Sequence, residues 1–198
     1  MERSPRQALS RLNAESRAAT VTAGAGVGAT AAAPGVGTGL ALALTTVEAA
    51  SFLGASVLYV LGRAQLHNID ISDLERRRAL VLAVILGDTG AATVGKVAAR
   101  TGSHWARKLV EAVPMSSIRQ INRLLGRNFV TKYGTRQGII VLGRAAPFGI
   151  GALIGGGLNG AFSQMTILAA NRAFGRVPDL WPSALEENRP ESDPVFRP

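Results

Sequence analysis

The hydrophobic positions of this chain recur at the spacing of helices, and the clearest case is the segment 116–133. Its apolar residues would share one side of a helix: Ile118, Ile121, Leu124, Leu125 and Phe129. Arg119, Arg123 and Arg127 follow one another in steps of four and fall on the opposite side. Pro114 and Ser116 suit the start of a helix. We therefore predict an amphipathic basic helix.

A second helix is predicted from about Asp73 to about Leu86. Ser72 and Glu75 have the spacing of a capping box, in which each side chain bonds a free backbone N–H of the first turn. Asp73 adds the negative charge that the N-terminal end of a helix favours. The apolar run ALVLAVIL that follows is too short to cross a bilayer. This segment is predicted to be a buried core helix.

Two long segments carry almost no charge: residues 18–62 contain only Glu48, and residues 138–170 contain only Arg144. Each includes a stretch long enough to span a bilayer. An ionised Glu48 in the middle of a span would be costly, so a buried hairpin that keeps this residue on a wet or paired face is equally allowed. The sequence leaves both arrangements open.

The stretch 147–162, PFGIGALIGGGLNGAF, contains six glycines in sixteen residues and no charged residue. Gly151 with Gly155, and Gly156 with Gly160, form small-x-x-x-small pairs. Such pairs leave one strip of a helix without side chains, so that another backbone can come close. We predict a hydrophobic hairpin over 147–170 that packs tightly against residues 40–61.

Strand patterns are scarce, since only GIIVL at 138–142 has the look of a strand. The predicted fold is therefore all-α: a compact helical domain with glycine-rich hydrophobic hairpins, which are either inserted in a membrane or buried in the protein. We assign 1–17 to a basic N-terminal segment with a short helix around 7–19, and 18–176 to the single domain. Residues 177–198 form an acidic, proline-rich tail that is either disordered or docked.

The charge balance points to a polyanionic partner, because the net charge is +9 and the isoelectric point is near 11.3. Only 5% of the residues are aromatic, which leaves little for stacking on bases, and the basic residues flank apolar runs. We therefore expect anionic membrane lipids and not nucleic acid. The predicted lipid contacts are Arg119, Arg123, Arg127 and Lys132. The alternative is that these residues form the solvated face of a core helix.

Two stretches imitate phosphate-binding loops. Residues 90–96, GAATVGK, have P-loop spacing, but Val97 stands where a hydroxyl should bind magnesium. Gly24, Gly26 and Ala29 fit the dinucleotide pattern, but no convincing strand precedes them. Because neither stretch has the βαβ context that the chemistry requires, we reject both and predict no cofactor.

Residues for catalysis or metal binding are few, since the chain has no cysteine and two histidines. His67 is assigned to turn chemistry together with Asp70 and Asp73. His104 and Glu111 are seven apart on a predicted helix, which favours a structural pair over a catalytic one. A hydrolase would require His104, Glu111 and Asp88 to converge. We predict no catalytic residue, no metal ligand and no enzyme activity.

The order of several segments resembles the EcsC family of bacterial proteins. The resemblance rests on TTVEAASFLGASVLYVLGRAQLHNIDISDLERRRALVLAVILGD, on GRAAPFGIGALIGGGLNGAF and on NRAFG. Tyr59 to Gly62 would match the tyrosine-containing turn of the family, although LGR stands where a YG pair is usual. Residues 70–75 would match its acidic linker, and Pro147 to Asn159 its glycine-rich segment. The resemblance implies a helical architecture and a membrane address, and it supplies no catalytic residues.

These observations together predict a non-enzymatic, membrane-associated bacterial protein on the cytoplasmic side. The resemblance to the EcsC family implies a role as an accessory of an envelope or transport system of the ABC exporter kind, with a membrane protein as a further partner. The alternative is a soluble helical domain that binds a lipid or another hydrophobic ligand. The sequence does not decide the oligomeric state.

Overall fold

The computed structural model describes residues 4–31, 38–98, 102, 104–144 and 150–181, with side chains described for 4–26, 47, 49–98, 102, 104–132 and 159–181. These residues form seven helices and no strand, which confirms the all-α prediction. The helices are α1 Pro5–Ala31, α2 Thr38–Leu66, α3 Leu74–Leu86, α4 Asp88–Val97, α5 Ala106–Glu111, α6 Met115–Arg144 and α7 Ile150–Phe174.

The long helices α1, α2 and α7 pack against one another. The widest contact of α7 is with α1, where a Cβ on Gly160 would lie 3.4 Å from Val21. Its contact with α2 is smaller and includes an edge-to-face pair between Phe52 and Phe162, with ring centroids 6.4 Å apart. The glycine-rich segment was predicted to pack against residues 40–61. Its main neighbour is instead the N-terminal helix, whose small residues permit a close approach.

The helices α3 and α6 run side by side in the same direction. Near their starts, Asn122 Nδ2 donates to the carbonyl and to the carboxylate of Glu75, at 2.9 and 2.7 Å. Near the end of α3, Lys132 Nζ donates to the carbonyl of Leu86 at 3.1 Å. α4 folds back on α3 so closely that a Cβ on Gly90 would lie 2.1 Å from the Ala83 oxygen. Only glycine allows this approach.

The core lies where α3, α5 and α6 meet the ends of α2 and α7. Its fully buried members include Leu80, Val84, Val94, Leu109, Ile118, Ile121 and Leu125. Burial of the apolar side of α6 therefore matches the sequence pattern at Ile118, Ile121 and Leu125. Leu124 was assigned to the same side but is exposed, because it lies at the margin of that side next to solvent.

The start of α3 differs from the predicted start in its capping residue. Asp73 is the N-cap, and its carboxylate accepts from the backbone N–H of Arg76 at 2.8 Å. Ser72 is not the cap, since its own N–H donates to Asp70 at 2.9 Å. Glu75 turns to Asn122 on α6 instead of back to the helix start. The predicted bounds of this helix are confirmed, but the predicted capping box is wrong.

The remaining differences concern the length of elements. α1 extends well beyond the predicted 7–19, and GIIVL continues α6 instead of forming a strand. In that stretch the helix already under way from Met115 outweighs a weak local strand preference. Both phosphate-loop imitations lie inside helices, Gly24, Gly26 and Ala29 in α1 and 90–96 in α4. Neither stretch therefore has the strand–loop–helix arrangement that a phosphate loop requires.

Candidate functional site

The exposed side of α6 is the strongest candidate surface. Over its 30 residues this helix has six basic residues and no acidic one. Arg119, Arg123 and Arg127 are exposed and lie opposite the buried Ile118 and Ile121, as the sequence pattern predicts. We call these three residues the arginine face.

Lys132, which was grouped with the arginine face, has a separate role. Its ammonium group donates to the carbonyl of Leu86, in the last turn of α3. Desolvation lowers the pKa of Lys132, and the nearby carboxylate of Asp88 works in the opposite direction. Because a cation at the C-terminal end of a helix is stabilising, this lysine caps α3.

An apolar side chain lies among the arginines of this face. Val130 is 71% exposed, and three helical turns bring it back to the side of Arg119. Leu124 lies at the edge of the same surface. The arginine face therefore combines three positive charges with one exposed aliphatic side chain.

The positive charge of the arginine face is uncompensated within the described structure. None of the three arginines has an ion pair with a described residue. Four of the described acids pair with other arginines: Arg6–Asp179, Arg11–Glu15, Arg107–Glu111 and Arg172–Asp88. Asp70, Asp73 and Glu75 instead accept hydrogen bonds from Ser72, Arg76 and Asn122. Like charges at a spacing of four destabilise a helix by about 0.2 to 0.5 kcal/mol per pair. The repulsion between these arginines therefore lowers the stability of α6. A solvated face with charges of both signs would not have this repulsion.

The four glycines predicted to mediate helix packing all lie on α7. The surroundings of Gly151, Gly155 and Gly156 lie outside the described side chains. Gly160 faces α1, since a Cβ at this position would come to 3.4 Å from Val21 Cγ2. That distance is an ordinary van der Waals contact, so this glycine permits a close approach without being strictly required.

A buried arginine on α2 was not singled out by the sequence. Arg63 has 0% exposure, and its guanidinium donates to Asn171 Oδ1 at 2.9 Å and to the Gly175 carbonyl at 3.1 Å. Its Cζ also lies 5.7 Å from the ring centroid of Phe174. Desolvation lowers the pKa of Arg63, and the Tyr59 hydroxyl opposes this. Arg63 thus caps the C-terminal end of α7, where a cation is favoured.

His67 follows one helical turn after Arg63 and is also buried. Its ring lies 5.4 Å from that of Phe174, and its Nε2 has no hydrogen-bond partner. Burial lowers the pKa of His67 to about 4, with further contributions from the charges of Arg63, Arg107 and His104. His67 lies in the turn that follows α2, as predicted, but its burial was not predicted. The pattern that indicates this burial is a pair of basic residues, four apart, at the end of a long apolar helix.

The residues considered for catalysis do not come together. His104 precedes α5 with a φ of 64°, while Glu111 pairs with Arg107 at 2.7 Å. Asp88 pairs with Arg172 at 2.6 Å. The predicted pairing of His104 with Glu111 is therefore wrong, because His104 lies outside the helix. Within the described ranges, no three His, Asp or Glu side chains are grouped so that they could hold a metal ion.

One described helix is long and apolar enough to cross a membrane, over Ala49–Leu66, and 39% of that stretch is buried inside the protein. Its buried part includes Tyr59 and Arg63, whose polar groups are bonded to α1 and α7. A core helix of a soluble protein would meet the same criterion, so this stretch is weak evidence for a span.

Comparison with known proteins adds no relative. No family model matches the chain, and neither a curated protein nor a solved structure matches it. The resemblance to the EcsC family therefore stays a prediction from the quoted segments.

Proposed function

We propose that this chain is a non-enzymatic, membrane-associated protein that binds anionic bilayers through the arginine face of α6. The observation that carries the proposal is a row of three exposed arginines that have no acidic partner among the described residues, with Val130 among them. The guanidinium groups would contact lipid phosphates, and Val130 would reach toward the acyl chains.

Anionic lipid accounts for this surface better than nucleic acid does. The exposed large hydrophobic residues described on α6 are Leu124 and Val130, which are aliphatic, whereas nucleic-acid surfaces use aromatic side chains for stacking. Each arginine near an anionic leaflet contributes about 1 kcal/mol to the free energy of membrane binding, so three arginines would give reversible binding. Two further arginines, at 136 and 144, continue the positive charge of the same helix.

The cellular setting follows from the same chemistry. Anionic lipids of the cytoplasmic leaflet attract basic segments next to the membrane, which favours a cytoplasmic location. The resemblance to the EcsC family supports a role as an accessory of an envelope or transport system, with a membrane protein as partner. A single apolar helix over Ala49–Leu66 fits peripheral attachment as well as one span.

Sedimentation with vesicles tests the proposal. The protein is mixed with vesicles of phosphatidylcholine alone or of phosphatidylcholine with phosphatidylglycerol, at low and high salt. We expect binding to the anionic vesicles only, with most of it lost at high salt because exposed charges are screened. The triple variant R119Q/R123Q/R127Q should lose most of this binding.

A matched triple variant separates the arginine face from net charge. Arg17, Lys96 and Lys108 are exposed and lie on three different helices. R17Q/K96Q/K108Q removes the same charge and should bind nearly as well as the wild type. If both triple variants lost vesicle binding to the same extent, the total charge of the protein would explain the binding, and the proposed surface would be wrong. Equal binding to neutral and anionic vesicles would overturn the electrostatic basis.

A further inference from the structure

A groove lies on another side of the molecule, between α4, the start of α5 and the second half of α7. Its volume is about 790 Å³, within the range of small-molecule sites. Most of its lining is apolar and comes from Ala91, Ala92, Gly95, Trp105 and Leu168. Leu168 is 46% exposed, so a large aliphatic side chain is left open to solvent in this groove.

The groove has a polar end. His104 and Asn171 line it there, and both also line an adjoining hollow of about 620 Å³ together with Phe174, Gly175 and Arg176. The two spaces thus meet at His104 and Asn171. A ligand with an apolar chain and a polar head could occupy both.

The charge at this end is positive. Arg176 is exposed and has no ion pair with a described residue, and the buried Arg63 lies behind the wall formed by Asn171 and Gly175. The described acids of this region already have arginine partners. Asp88 pairs with Arg172, which also lines the groove, and Asp179 pairs with Arg6, which lines a neighbouring hollow together with Arg176. The hollow therefore complements a negative head group.

We infer that this groove binds a single-chain anionic amphiphile, of the class of a fatty carboxylate. The carboxylate would lie at Arg176, where the Asn171 amide and His104 can also donate to it. The chain would run along the small residues of α4 toward Trp105 and Leu168. This site shares no residue with the arginine face, so it does not depend on the proposed membrane contact.

Trp105 provides a direct probe because it lines the groove. The chain has two tryptophans, so W181F leaves Trp105 as the single emitter. This variant is titrated with bromododecanoate below its micelle concentration, since bromine quenches a tryptophan that it touches. We expect saturable quenching with one ligand per chain. Dodecanoate should compete, and decanoate should compete about 15-fold more weakly, because each buried methylene is worth about fourfold in affinity.

Head-group recognition is tested with dodecanol and with a charge variant. Dodecanol should compete at least tenfold more weakly than dodecanoate, and R176Q in the W181F background should weaken dodecanoate binding to a similar degree. R17Q, which removes an exposed arginine from α1, is the matched control and should leave the affinity unchanged. Equal affinity for the alcohol and the carboxylate would overturn the inference, since an unspecific apolar surface would then explain the binding.

Filling the groove tests its location. A92F places a ring in the groove at an exposed helix position, whereas A14F places one on the exposed side of α1. A92F should abolish quenching and A14F should not, with circular dichroism confirming that both variants are folded. Unchanged binding in A92F would overturn the site. Binding that is lost in R119Q/R123Q/R127Q would assign the amphiphile to the arginine face and overturn it as well.

Discussion

Arginines on amphipathic or apolar helices have opposite environments in two regions of this molecule. Arg63 ends the apolar run of α2 and is completely buried, with its guanidinium bonded to α7. Arg119, Arg123 and Arg127 lie opposite the apolar side of α6 and are exposed. The difference lies in what each helix packs against, because α7 ends beside Arg63 and offers free carbonyl groups there.

This difference shows why a basic residue beside an apolar run is weak evidence for a membrane boundary. The stretch Ala49–Leu66 satisfies length and hydropathy criteria, and Arg63 near its end has the position of a boundary arginine. In the structure the guanidinium points into the protein and caps a helix. A buried arginine should therefore control stability, and an exposed row of arginines should control binding.

The largest expected effect is that of removing Arg63. R63A removes two charge-assisted hydrogen bonds and the contact with Phe174, and it leaves the Gly175 carbonyl without its donor. We expect the free energy of unfolding to fall by about 3 kcal/mol, measured by urea denaturation.

R119A is the control, since it removes an exposed arginine from α6. It should remain within about 0.5 kcal/mol of the wild type. R63K should lie between R63A and the wild type, because a lysine keeps the charge but loses the fork of two donors. If R63A and R119A changed the free energy of unfolding by similarly small amounts, the burial of Arg63 would make no measurable contribution to stability.

The second effect is the pH dependence of stability that arises from His67, which is buried beside Arg63. The pKa of His67 is lowered from 6.5 to about 4 in the folded protein. Between these values the unfolded chain binds the proton and the folded chain does not, so stability is lost as the pH falls from 6.5 through 4. We expect the free energy of unfolding of the wild type to fall by about 3 kcal/mol over this pH range, and H67Q should not show this loss.

The measurement is the difference in unfolding free energy between wild type and H67Q at several pH values. Titration of carboxylates affects both proteins and cancels in this difference. H104Q changes the exposed histidine and should retain the pH profile of the wild type. A constant difference between wild type and H67Q across this range would show that the folded protein accepts the proton on His67 without cost.

Sequence patterns were sufficient for those parts of the fold that depend on local chemistry. The period of Ile118, Ile121 and Leu125 predicted the buried side of α6, and Asp73 marked the start of α3. What could not be predicted depends on contacts distant in sequence. The burial of Arg63 follows from Asn171, which lies on another helix 108 positions later.

The same reasoning separates the two candidate sites. The arginine face was visible in the sequence because a helix period alone creates it. The groove was not, since Trp105, Ala92 and Leu168 come from three segments with no shared pattern. His104 was assigned to a helix but lies before one, and this positive-φ conformation had no sequence signal such as glycine.

The smallest expected effect on stability comes from R123E in the middle of the arginine face. The substitution replaces two repulsive pairs with two attractive ones, to Arg119 and to Arg127, both at a spacing of four. We expect the free energy of unfolding to rise by about 0.8 to 2 kcal/mol at low salt, and the gain to shrink as salt is added. R123Q removes the repulsion without adding attraction, so it should give a smaller gain.

R123E should at the same time bind anionic vesicles more weakly than R123Q does, because its carboxylate repels lipid phosphates. A variant that gains stability and loses binding would show that the three arginines are maintained for a partner and not for the fold, whereas a destabilised R123E would mean that Arg123 already has a partner within the protein.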